Sequence, residues 1–87
     1  MAGNRTSLCI DFSRIISTEE DNIDLWLTLS NIHKLKDRGW VNIFLGNNVK
    51  EDWKRVGIYK IGEKISNEEK SYKGITYHRY RLDKINN

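Results

Sequence analysis

The chain has 87 residues, one Cys, no Pro, 38% hydrophobic residues with three Trp and four Tyr, and a formal net charge of +3. That length allows one small domain, residues 1–87, burying about 60% of its unfolded surface, and the apolar and aromatic content excludes a disordered chain. A lone Cys excludes an internal disulfide framework, and without an apolar N-terminal run or a long apolar stretch neither a signal peptide nor a membrane span is expected, which points to the cytoplasm.

Residues 1–5 are polar and expected to fray. Leu8-Cys9-Ile10-Asp11-Phe12 alternates cleanly and predicts a strand over 7–15 with Leu8, Ile10 and Phe12 toward the core. Ser17 and Glu20 then have the spacing of a capping box, so 17–22 reads as a turn or a helix start. Residues 23–38 admit two structures. As a strand over 23–30, Ile23, Leu25, Leu27 and Leu29 alternate with Asp24, Trp26, Thr28 and Ser30, and Asn31 to Gly39 becomes a basic loop. As a helix over about 18–38 with Gly39 as its stop, Leu25, Trp26, Leu29, Ile32 and His33 share a stripe, but Lys36 falls inside it while Ile23 and Leu27 fall opposite. The strand fits better, because Thr28, Ser30 and Asn31 are poor helix-interior residues.

Trp40 to Gly46 predicts the next strand, Gly46-Asn47-Asn48 a turn, and 53–61 a further strand with a bulge or bend at Gly57. Val41, Ile43, Leu45, Val56 and Ile58 form the expected core face, and Trp40, Asn42, Phe44, Trp53, Arg55 and Tyr59 the opposite one. Residues 62–74 are charged and loop-like, 74–82 give the last strand, and 84–87 are expected to fray. The predicted fold is mostly β: a five-stranded small barrel, OB-like, or a coiled antiparallel sheet, with β-α-β-β-β as the α+β alternative. An open sheet of these strands would form a homodimer through an edge or a face.

His33 and His78 have no Cys or carboxylate at ligand spacing, and no nucleophile elbow or phosphate-cradling glycine loop occurs, so no metal, cofactor or catalytic residue is expected. The remaining signal is basic and aromatic. Residues 1–48 hold five Lys/Arg against six acids, a balance of −1, whereas residues 49–87 hold ten against six, a balance of +4. Rings that stack on bases and cations that neutralise phosphates are the combination that binds single-stranded nucleic acid. Trp40, Trp53, Arg55 and Tyr59, helped by Lys34, Lys36, Arg79 and Arg81, are the expected nucleic-acid-binding residues, with DNA ahead of RNA. The alternative is a small phage-type adaptor or inhibitor that covers a host protein, with the aromatics as interface anchors.

The strand ending in Ser-x-Ile, Ile10-Asp11-Phe12-Ser13-Arg14-Ile15, followed by Trp40-Val41-Asn42-Ile43-Phe44-Leu45, resembles small single-stranded-DNA-binding proteins of phage and plasmid type. The resemblance covers under a quarter of the chain. It implies an OB-fold, strand-face aromatics as base platforms and loop lysines on phosphates. The chain departs from larger members of that family in ending without an acidic tail.

Overall fold

The computed structural model describes residues 7–85. The elements are β1 (Ser7–Asp11), a 3-10 turn (Phe12–Arg14), β2 (Ile15–Thr18), β3 (Asn22–Thr28), α1 (Leu29–Arg38), β4 (Val41–Asn47), β5 (Asp52–Tyr72) and β6 (Ile75–Lys84). The fold is mostly β, as expected: a curled half-barrel sheet with one helix that fits a small OB-like barrel, although it has six strands where five were predicted.

The strands form one sheet in the order β1-β4-β5-β6-β3-β2, with β1 and β4 parallel and every other pair antiparallel. This order forces the sheet to curl. β1 and β2 are its two outermost strands, which in a flat sheet would lie about 24 Å apart over five inter-strand spacings. Yet only the 3-10 turn joins them, and the step from Asp11 to Ile15 reaches at most about 14 Å. β5 is bent for a similar reason. Its 21 residues would extend about 70 Å if straight, while the longest dimension of the molecule is 36 Å. Breaks in register opposite Ile43/Phe44, between Ile61 and Lys64, and between Lys64 and Glu69 supply the bends.

The core lies on one face of this curl: Leu8 and Ile10 of β1, Ile23, Leu25 and Leu27 of β3, Val41, Ile43 and Leu45 of β4, Tyr59 of β5 and Leu82 of β6, closed by Ile32 and Leu35 of α1. The expected burial of Ile10, Leu25, Leu27, Val41, Ile43 and Leu45 is seen; that of Phe12 and Leu29 is not, at 61% and 56% exposure. Phe12 has left the strand for the 3-10 turn, and Leu29 opens the helix on its outer side. Val56 and Ile58 are only partly buried, and Tyr59 takes the core position. The bulge at Gly57 explains the exchange. Ile43 faces Gly57 and Phe44 faces Arg55, so Val56 is the unpaired residue and the alternation reverses phase across it.

Residues 31–38, predicted as a basic loop, are helical, and β3 stops at Thr28 rather than at residue 30. Thr28 Oγ1 accepts the Asn31 amide at 3.1 Å while Asn31 Oδ1 accepts the Thr28 amide at 3.2 Å, a reciprocal cap. Gly39, with φ of 83°, ends the helix and gives its N–H to the Leu35 carbonyl. The predicted loop over 62–74 is instead the far half of β5, turned back into β6 as a hairpin arm through Lys73 and Gly74, with β6 also paired to β3 over Tyr77–Asp83. Both turn residues have positive φ, 52° and 81°, as a type I′ turn requires. The fraying expected at 1–5 and 86–87 lies outside the described residues. At 84–85 the chain is held, since Lys84 donates to the Asp21 carbonyl and Ile85 to that of Ile58, both at 2.8 Å.

Candidate nucleic-acid interface

The coiling of β5 brings its two ends to one place. Trp53, near its start, and Lys70 and Tyr72, near its end, line the same groove, whose volume is about 630 Å³. On one side are the arm, through Lys70, Tyr72, Lys73 and Tyr77, and Trp26 of β3. On the other are Cys9 and Asp11 of β1, Asn48 and Val49 of the β4–β5 turn, and Trp53. The 3-10 turn joins the two sides with Ser13 and Arg14.

Strand alternation aims these groups away from the core. Trp26 stands between Leu25 and Leu27 and pairs across to Arg79, and Tyr77 pairs with Lys70. Three of the four rings carry a cation: Arg14 over Tyr77 at 5.2 Å, Lys70 over Trp26 at 5.7 Å and Lys73 over Tyr72 at 5.4 Å. Arg14 is the fixed member. Its Nε donates to the Trp26 carbonyl at 3.1 Å, and its terminal nitrogen donates to Asn31 Oδ1 of the helix cap. Burial pushes the Arg14 guanidinium below its ordinary pKa, partly offset by Tyr77 and Asp11. Asp11 is held below the usual carboxylate range by hydrogen bonds, first from Ser13 and then from Asn48, so it stays ionised.

Of the residues predicted from sequence, Trp53 alone lines this groove. Arg79 and Arg81 lie on β6 beyond it, paired with Glu68 and Glu63. Arg55 is on the outer face and donates from Nε to Asn42 Oδ1 at 2.8 Å. Lys34 and Lys36 belong to α1, where they line a separate shallow hollow with His33, Asp37 and Arg38; Lys34 also donates to the Ser7 carbonyl at 2.7 Å. Trp40 is exposed at the junction of α1 and β4. Tyr59 is a correction: it is 4% exposed, burial raises the pKa of its hydroxyl, and no base can reach its ring. Arg14, Trp26, Lys70, Tyr72 and Lys73 were not among the predicted site residues. Trp26 was findable, because an aromatic at the polar phase of an alternating strand faces away from the core.

The chain matches no protein-family model, no curated protein and no solved structure. Among the described residues no group of three or more His, Cys, Asp or Glu is placed to hold a metal ion, and no helix is long and apolar enough to cross a membrane. His78 sits 3.7 Å from Glu69 of the arm, and His33 lies on α1.

Proposed function

We propose that this chain is a non-catalytic module that binds single-stranded nucleic acid, DNA ahead of RNA, in the groove between the β5–β6 arm and the β4–β5 turn. One observation carries the proposal: Trp26, Trp53, Tyr72 and Tyr77 share a single groove with Arg14, Lys70 and Lys73. Bases stack on rings of this kind while cations take the phosphates.

The lysines resting on Trp26 and Tyr72 do not block this, while Arg14, fixed by its hydrogen bonds, stays over Tyr77. Base stacking contributes about 1–3 kcal/mol per base, against about 0.5–1 kcal/mol for an exposed cation–π contact. Stacking therefore wins, and a displaced Lys70 or Lys73 is left beside the phosphate of the base that displaced it. Trp53 carries none of these cation–π contacts and is the natural first platform.

A titration of tryptophan fluorescence with short oligo-dT tests this. Quenching is expected, weakening as salt rises because binding releases counterions. Trp53→Ala should lose most of the affinity, while Trp40→Ala, outside the groove, should keep it. No fluorescence change and no mobility shift at tens of micromolar protein would remove the proposal.

The second reading, an adaptor or inhibitor that covers a host protein, is favoured by apolar groups near the groove: Phe12, Val49, Tyr72 and Ile75 are 61%, 90%, 59% and 46% exposed. It predicts recovery of one stoichiometric protein in a pull-down and weak affinity for oligonucleotides.

A further inference from the structure

Beyond the groove, β6 carries two guanidinium groups whose hydrogen-bonding capacity is partly unused. Tyr77, Arg79 and Arg81 alternate on one face, so the row that starts in the groove at Tyr77 continues to Arg79 and then Arg81 at about 7 Å per step. Arg79 donates one terminal N–H to Glu68 Oε1 at 3.0 Å, and Arg81 one to Glu63 Oε1 at 3.4 Å. The Nε of each is shielded from solvent and has no hydrogen-bond acceptor; Asp83 Oδ1 lies 3.9 Å from that of Arg81, an ion pair without a hydrogen bond. Asp24 faces Arg81 from β3 and leaves Oδ1 unbonded. The side chains of Glu68 and Glu63 are 61% and 82% exposed, and pairs so exposed hold weakly. The Arg79 and Arg81 side chains are 29% and 35% exposed, and a guanidinium can bind a phosphate through its two terminal nitrogens, in two parallel charge-assisted hydrogen bonds, where each Glu takes only one.

We propose that Arg79 and Arg81 form a phosphate track that extends the aromatic groove along β6, and that Glu68 and Glu63 fill it in the free protein until the backbone of a bound single strand displaces them. This rests on the groove being a single-strand site. Both glutamates lie in the part of β5 where register breaks twice, between the Ile61–Leu82 and Glu69–His78 pairs. They can therefore swing out while the flanking ladder stays intact. Displacement exchanges two weak surface pairs for two bidentate ones, and the glutamates act as built-in competitors that set the affinity.

The test compares oligo-dT binding by the wild-type chain, E63Q/E68Q and R79Q/R81Q, with circular dichroism confirming that each is folded and E68Q alone as a milder control. E63Q/E68Q should bind about three- to tenfold more tightly, since it removes the competitors and leaves the phosphate donors. R79Q/R81Q should bind more weakly, with a plot of log affinity against log salt shallower by about 1.4 for two lost phosphate contacts. Equal affinities and equal slopes among the variants, with the wild type still binding, would overturn the track and leave the groove intact as a site. No binding by the wild type would remove the groove proposal and the track with it.

Discussion

Asp11 fastens the floor of the groove. Its Oδ2 accepts the Ser13 amide at 2.9 Å and its Oδ1 the Asn48 amide at 2.8 Å, tying the 3-10 turn to the β4–β5 turn. These bonds favour the carboxylate, so its folded pKa lies below its unfolded one. Its contribution to stability is then fully present above the unfolded pKa, about 4, and is lost as pH falls through the lower folded value. Asp11→Ala should cost about 1 kcal/mol at neutral pH, a figure kept small because the site is near the surface. Urea denaturation at a series of pH values should show the gap from wild type shrinking below about pH 4; a gap constant with pH would mean that the carboxylate does not fasten these turns. The aliphatic core residues on β1, β3 and β4 were readable from alternation. Tyr59 and Val56 were not, because a single bulge residue inverts every side chain that follows it, and the sequence marks the bulge at Gly57 without saying which neighbour it leaves unpaired.

At the scale of elements, α1 begins where two side chains satisfy the backbone donors that a strand would have given to a neighbour. Thr28 and Asn31 looked like evidence against a helix because such residues compete for backbone hydrogen bonds; at an N-terminus that competition is what caps it. Thr28→Ala should destabilise the domain by about 1 kcal/mol, and Thr28→Ser by much less, read as a shift in the denaturation midpoint. Equal losses for both substitutions would show that packing, rather than the cap, sets the start of α1. The arm was invisible for a different reason. The far half of β5 lays no apolar face on the core, so residues 62–72 are mostly exposed and show no apolar alternation to read. Its shape is held instead by the Lys73–Gly74 turn and by the backbone ladder from Glu69–His78 to Tyr72–Ile75.

At the scale of the molecule, the groove exists only because β5 coils. Trp26, Trp53 and Tyr72 are far apart in sequence, and no local pattern brings them together; the bends in register and the short link between the two outermost strands do. The basic and aromatic character of the chain was legible in its composition, while its assembly depended on a return path that alternation does not encode. Cys9 offers the most direct view of that assembly, since it is the chain's one thiol, it is exposed, and it lines the groove next to Asp11 and Trp53. The decisive measurement is the rate at which Cys9 reacts with a maleimide, with and without oligo-dT at a concentration that saturates the fluorescence change. If a single strand lies in the groove, labelling slows on binding and recovers as salt releases the strand; an unchanged rate at saturation would mean that the strand binds elsewhere on the molecule.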